Sequence, residues 1–319
     1  MLEIRDLCVD YLTPAGAKRA VDTVSFDIAP GEVLGLAGES GSGKSTIAQA
    51  ILRILRPPGV ISSGQVLWEG RDVLGMNDSA LRRFRWEEIA MVFQSAMNAM
   101  NPVMTIGDQI ADTLRAHGVT DRRRIRDRIS ELLTIVGIDR ARATSYPHQL
   151  SGGMRQRAVI AIALALNPRL LIMDEPTTAL DVIVQRSIMQ KIRELKERLG
   201  FSILFITPDI SLMVEYSDRM AIMYGGKIVE EAPSRRILDD PQHPYTAGLI
   251  DSFPTLTGPR ARLTGIPGSP PDLLALPSGC TFNPRCPRAF DTCVVREPAL
   301  LPTEDDHVTA CHLYHQDSR

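Results

Sequence analysis

The order of segments predicts an α/β fold built on a mostly parallel sheet, with smaller parts added before, within and after it. Short apolar runs, VLGLA, LLIMD and FSILFIT, alternate with stretches of helical spacing. The runs lack polar alternation, as strands covered on both faces do. The beginning of the chain differs. Leu2 to Tyr11 and Val21 to Ile28 read as two strands joined by the loop TPAGAKR, an antiparallel N-terminal subdomain.

From Glu32 the order is a strand (VLGLA), a Gly-rich turn, a helix (STIAQAILRIL) and a strand pair around GQVLWEG. A helical subdomain is expected over about 95–155. Within it, DRRRIRDRISELLTIVGI turns Ile125, Ile129, Leu132 and Leu133 to a core and leaves Arg122, Arg123, Arg124, Arg126 and Arg128 to solvent. A helix from Gly152, the strand LLIMD, a helix over Val182–Leu199, the strand FSILFIT and a strand pair around MAIMYGGKIVE complete a first domain, 1–234. Beyond Ser234 the chain is rich in Pro and Gly, which predicts a separate extension over 235–319 rather than more of the sheet.

Composition sets limits on function. The 319 residues carry a formal net charge of -2, with 44% hydrophobic and 23% charged, so no global field draws the chain to nucleic acid or anionic lipid. The most apolar uncharged stretch, between Arg157 and Arg169, is interrupted by Asn167 and Pro168 and is shorter than the roughly 18–20 residues of a membrane span. The start, MLEIRDLCVD, has no basic region followed by an apolar core, and a cytoplasmic location is expected. Cys8 stands alone in the first strand and is expected to be buried, whereas Cys280, Cys286, Cys293 and Cys311 crowd the C-terminal end.

The turn after VLGLA is GESGSGKST, in which Gly38, Gly43, Lys44 and Ser45 fit the phosphate-loop pattern, strand before and helix after. Glycines at this spacing let backbone N–H groups curve around a polyphosphate at the positive end of a helix. Lys44 then reaches the β and γ phosphates and Ser45 holds Mg²⁺, with Ser40, Gly41 and Thr46 completing the ATP-binding stretch. A second signal is RLLIMDE, which places Asp174 and Glu175 at the carboxyl edge of a parallel sheet, where open α/β folds bind ligands. Asp174 suits Mg²⁺ and Glu175 suits orienting and deprotonating a water. Between these motifs LSGGMRQ, Leu150 to Gln156, presents Ser151, Gly152 and Gly153 at a helix start, a second anion site on one chain.

With these motifs in order, the sequence resembles the ATPase subunits of ATP-binding-cassette transporters over about Met1 to Ser234. The resemblance implies a P-loop NTPase with a RecA-like core, an N-terminal antiparallel β subdomain, a helical signature subdomain and, here, a Cys-containing C-terminal extension. It implies a dimer in which LSGGQ-type residues of one subunit close over the nucleotide of the other. It also gives Gln94 in MVFQS the role of sensing Mg²⁺ and contacting a permease, Asp181 in TTALD a place in the dimer interface, and Tyr11 a place against adenine.

HPYT at 243–246, GIPGSPPDL at 265–273 and GCTFNPRCP at 279–287 resemble the extension of oligopeptide and dipeptide importer ATPases, in which four cysteines form a cluster. The spacing C-x5-C-x6-C-x17-C lacks the close pairs usual for zinc, and the resemblance favours [4Fe–4S] with Zn²⁺ as the alternative. The implied partners are a second ATPase subunit, two permease subunits and, indirectly, a substrate-binding protein, at the cytoplasmic face of the inner membrane. Nucleic acid is not expected as a partner, and a soluble cassette of DNA repair or translation is the remote alternative. Nickel, glutathione or sugars stay open as cargo.

One residue departs from the family. Its strand equivalent to FSILFIT ends in a histidine that bonds the γ-phosphate; here that position is Pro208. Proline supplies neither imidazole nor N–H. Two functions follow: an ATPase energising an importer as half of a heterodimer, or a degenerate, nucleotide-gated subunit whose partner does most of the hydrolysis.

Overall fold

The computed structural model describes residues 1–94, 100–176, 181–252 and 265–314. Its strands are β1 (Leu2–Thr13), β2 (Gly16–Ile28), β3 (Val33–Ala37), β4 (Gly59–Trp68), β5 (Arg71–Asp72), β6 (Ile89–Val92), β7 (Leu170–Asp174), β8 (Ser202–Ile206), β9 (Arg219–Tyr224), β10 (Lys227–Pro233), β11 (Leu301–Glu304) and β12 (His307–Thr309). The α-helices are α1 (Lys44–Ile51), α2 (Asp78–Arg83), α3 (Ile106–Ala116), α4 (Arg122–Ile135), α5 (Gly152–Ala163), α6 (Val182–Leu199), α7 (Ile210–Tyr216), α8 (Ser234–Asp239), α9 (Pro244–Asp251) and α10 (Asp291–Val295). The chain divides into two units. The first holds Met1–Ile28, Val33–Leu74 and Ile206–Arg319; the second holds Ala29–Glu32 and Gly75–Phe205.

In the first unit, every residue of β3 is buried, as its unbroken apolar run requires. It runs parallel to β9, with Leu34 opposite Arg219 and Ala37 opposite Ile222. Strands β9 and β10 form a tight antiparallel hairpin that brings Lys227 opposite Tyr224. The N-terminal sheet, in the order β2-β1-β4-β5, is antiparallel as expected. Its first hairpin is longer than its apolar pattern, because Arg19 pairs with Asp10 in register and bonds it at 3.0 Å. Most of the expected loop TPAGAKR is therefore strand.

The extension is not separate from the sheet. β12 pairs antiparallel with β10, Glu230 opposite Thr309, and β11 pairs with β12. A buried carboxylate ties them: Glu230 accepts from the N–H groups of Gln242 and His243 at 2.7 and 2.9 Å and lies 2.7 Å from His307 Nε2. A buried charge of this kind persists only where several donors satisfy it. Pro and Gly content hides this, because the joining strands are short and the side chains that fix them are far apart in sequence.

The second unit contains β8, β7 and β6 side by side in that order, with β6 and β7 parallel, Ile89 opposite Leu170. The start of the expected helical subdomain near 95 lies outside the described residues; α3 and α4 follow, capped by Thr105 and Asp121 side chains. Helix α4 buries Ile125, Leu132, Leu133 and Ile135, while Ile129 is half-buried. Each fully buried aliphatic side chain stabilises by about 1.5–3 kcal/mol. Arg128 corrects the expected solvated row: it donates to the carbonyls of Ala165 and Leu164 and to Asn167 Oδ1, satisfying carbonyls left open at the end of α5. Among the described residues no helix is long and apolar enough to cross a membrane.

His243 begins α9, and its Nδ1 accepts the Tyr245 N–H at 3.0 Å. Burial pushes its pKa down to about 4, against the partial opposition of Glu230. The unfolded chain therefore binds a proton below about pH 6.5 that the folded chain refuses down to about 4, so stability falls as pH falls through this window. Urea unfolding at pH 7 and pH 5 should show the wild type losing about 2 kcal/mol more than His243→Asn, which keeps a capping oxygen without the titration. Equal losses would contradict this.

Candidate functional site

The first unit carries the phosphate loop. The chain leaves β3 at Ala37, turns through residues 38–43 and enters α1 at Lys44. Two glycines make this turn possible. Gly38 has φ +145° and a Cβ there would lie 2.3 Å from the Met223 carbonyl oxygen; Gly43 has φ +106° and its Cβ would lie 2.3 Å from the Ala20 carbonyl oxygen. No L side chain fits either position. Ser40 and Gly41 form the exposed tip, and Ser45 and Thr46 lie half-buried in the first turn of α1. The buried Lys44 ammonium donates to the carbonyls of Gly38 and Glu39, both at 2.8 Å, and to Ser42 Oγ at 3.2 Å. It thus sits inside the loop's curve, where a polyphosphate would take its charge. Tyr11 lies beside this helix start, its hydroxyl 3.3 Å from Thr46 Oγ1.

The second unit carries the acids. β7 is buried throughout, and Asp174, 3% exposed, ends it. The next residue, Glu175, has φ +47° and precedes Pro176, a conformation that costs on the order of 1–3 kcal/mol and clusters at functional sites. Its Oε2 accepts the Gln94 Nε2–H at 2.7 Å, which fixes the carboxylate's direction. In the same unit Ser151 caps α5, accepting the Met154 N–H at 3.4 Å, with Gly152 and Gly153 in its first turn. Asp181 caps α6 through the N–H groups of Ile183 and Val184. Residues 177–180 of TTALD lie outside the described residues.

Pro208 is exposed in the first unit, between the end of β8 and Asp209, the cap of α7. The backbone accommodates it without a lost bond, and Asp209 N–H turns to Thr207 Oγ1 at 3.2 Å. Proline itself supplies neither a side-chain donor nor an N–H at this position.

A family model described as "ABC transporter" matches residues 21–178, and one described as "Oligopeptide/dipeptide transporter, C-terminal region" matches 229–293. The chain is 43% identical to a dipeptide transport ATP-binding protein of Caldanaerobacter subterraneus subsp. tengcongensis, over 99% of this chain and 98% of that one. The chain belongs to the ABC transporter ATPases. An oligopeptide transport ATP-binding protein of Bacillus subtilis is 42% identical over 100% of this ABC ATPase and 90% of its own length. Among solved structures, a dimeric ATP-binding cassette in a post-hydrolysis state bound to ADP and phosphate superposes with a TM-score of 0.66 at 29% identity, covering 74% of this chain and 99% of that one. The predicted α/β architecture with its antiparallel β subdomain is the one observed.

ABC ATPases use ATP with Mg²⁺, and each unit carries oxygen donors of the kind that hard cation takes: the Ser45 hydroxyl in the first, and the Asp174 carboxylate and the Gln94 side chain in the second. The four cysteines expected to form a thiolate centre lie near one another, each of Cys280, Cys286 and Cys311 within electrostatic reach of other cysteines of the set. Cys280 and Cys293 are joined through their backbones at 2.8 Å, yet no group of three or more metal-ligating side chains among the described residues is placed to hold a metal ion. Burial first, then the charges of neighbouring cysteines, pushes the Cys280 and Cys311 thiols up to about 11 and raises Cys286 as well. Such thiols stay protonated at neutral pH, and a cation would have to displace their protons. Cys8 is buried, as expected.

Sequence reasoning passed over Glu39, Tyr245 and Arg285, although all three stand within motifs it used. The available signal was chemical: an acid inside a phosphate loop requires a counter-charge. For this ABC ATPase, Lys44→Ala should weaken MgATP binding at least about a hundredfold, since it removes the buried charge within the loop. Fluorescent-nucleotide titration checks it, and undiminished affinity would contradict the site.

Proposed function

We propose that this ABC ATPase energises the import of dipeptides or oligopeptides, working opposite a second ATPase subunit and on two permease subunits, peripherally at the cytoplasmic face of the inner membrane. The observation that carries the chemistry is the Gln94–Glu175 hydrogen bond of 2.7 Å, which aims a carboxylate beside the buried Asp174. Lys44 and the loop N–H groups bind and orient the triphosphate, and Glu175 takes a proton from the attacking water. Asp174, Ser45 and Gln94 would hold Mg²⁺, which would supply neutralisation of the phosphate charge. Ser151, Gly152, Gly153 and Asp181 serve the nucleotide of the opposite subunit, and Tyr11 serves adenine.

Support for the cargo comes from the names of the relatives and from the matched C-terminal region over 229–293. Support for a permease comes from the surface next to Gln94. A cavity of about 310 Å³ is lined there by Trp86, Met91, Phe93, Met100 and Met104, and Phe93 is 42% exposed. Methionine and aromatic linings accept an apolar partner segment readily. The [4Fe–4S] cluster, or Zn²⁺ in its place, has in its support only the resemblance and the four thiols; iron, sulfide and zinc contents of anaerobically purified protein decide it. A boundary near 234 has in its favour a separate family match beginning at 229, although β12 joins the extension to β10.

The second reading, a subunit that binds nucleotide and leaves hydrolysis to its partner, is favoured by Pro208. Loss of one positioned donor to developing phosphate charge costs about 3 kcal/mol, on the order of a hundredfold in rate. A heterodimer with a complete partner would retain one fully equipped site. Pro208→His should raise turnover at this chain's site about ten- to a hundredfold and leave MgATP affinity nearly unchanged, measured with the partner's site silenced. Equal turnover in wild type and variant would show that another group supplies the contact.

A further inference from the structure

The phosphate loop contains an acid, Glu39, and its carboxylate is met by a residue 246 positions away in sequence, Arg285. The guanidinium forks both oxygens, Nη1 to Oε2 at 2.7 Å and Nη2 to Oε1 at 2.9 Å. It cannot drift from this position. Its Nε donates to the Pro267 carbonyl at 2.8 Å, Nη1 reaches the Tyr224 hydroxyl at 3.3 Å, and the ring centroids of Tyr224 and Phe282 lie 5.7 and 6.0 Å from Cζ. On the backbone side, the buried Tyr245 hydroxyl accepts the Glu39 N–H at 2.8 Å. The C-terminal extension therefore grips one loop residue at both its side chain and its main chain.

A carboxylate at this place has two harmful alternatives. It carries the same sign as the polyphosphate the loop is built to receive, and it lies in the same short loop as the Lys44 ammonium, which already donates to the Glu39 carbonyl. Unpaired, it would repel the ligand and compete for its lysine. We propose that Arg285 is a positioning residue for nucleotide binding: it neutralises Glu39 and, with Tyr245, holds the phosphate loop in the shape that accepts MgATP. This rests on the reading of the loop as the MgATP site. The extension thereby acts in cis on the nucleotide site. The fork geometry is specific to arginine, since a lysine offers one compact charge in place of two parallel donors.

The test is equilibrium MgATP affinity of the full chain, with KM and kcat read at this chain's site in the assembled transporter, the partner's site silenced. Arg285→Ala should weaken binding about tenfold, the loss falling on KM rather than kcat, and Arg285→Lys should lie between. Adding Glu39→Gln to Arg285→Ala should restore affinity to within about threefold of wild type, because the uncompensated charge is gone. A purely structural brace would lower the melting temperature without this recovery. A double variant no better than Arg285→Ala, or Arg285→Ala within about twofold of wild type, overturns the inference. Should Arg285→Ala fail to fold, Tyr245→Phe and Arg285→Lys decide it: each about threefold weaker supports it, and both at wild-type affinity overturns it. Lys44→Ala is the control that separates the two levels. If that variant binds MgATP normally the loop reading itself is wrong, whereas its loss beside an unaffected Arg285→Ala defeats only the role of Arg285.

Discussion

The curvature of residues 38–43 is the constraint on which the first unit depends. Gly38 and Gly43 take positive φ with neighbouring carbonyls, from Met223 and Ala20, standing where side chains would begin. Those carbonyls belong to β9 and β2, so the loop's shape is set by two sheets at once. Backbone held in this way is pre-organised, and little ordering entropy remains to be lost on binding. Lys44 completes it from within. The extension closes it from the other side, since Tyr245 and Arg285 both end on Glu39.

In the proposed function, binding and chemistry are separable because different residues carry them. The loop and Lys44 are intact, and Asp174 and Glu175 stand at the end of a buried strand, the latter aimed by Gln94. In the second proposed reading Pro208 withdraws one donor from the chemical step alone, and the fold tolerates it because a strand exit followed by a capped helix needs no N–H at that position. LSGGM lies at the start of α5 with its serine cap formed, so the stretch proposed to serve an opposite subunit's nucleotide is intact. Asymmetry of this sort is economical: one subunit can hold nucleotide as a structural ligand while the other turns it over.

Local signals were legible in the sequence, and long-range ones were not. VLGLA, LLIMD and FSILFIT became buried strands because an unbroken apolar run has no other stable place. The phosphate loop could be read because its function demands glycine at fixed spacing. Arg128 was misjudged because an arginine on a helix face looks solvated until the open carbonyls of a neighbouring helix end are known. The strands β11 and β12 escaped notice because they are short and are held by Glu230 and His307, 77 residues apart. Four cysteines, with the family resemblance, predicted a metal centre; among the described residues no group of three or more metal-ligating side chains is placed to hold an ion, although the thiols stand near one another. Glu39 and Arg285 lie in two separately recognised motifs, and nothing in either motif announces the other.

The proposed asymmetry, in which this chain's nucleotide site binds MgATP and hydrolyses it more slowly than the partner's site, is the claim most open to direct test. Photo-crosslinking of radiolabelled azido-ATP in the assembled transporter, quenched during turnover and separated by subunit, reads the nucleotide held by each chain. Triphosphate on this chain with diphosphate on its partner is the predicted result. Diphosphate on both chains at equal rates would contradict it.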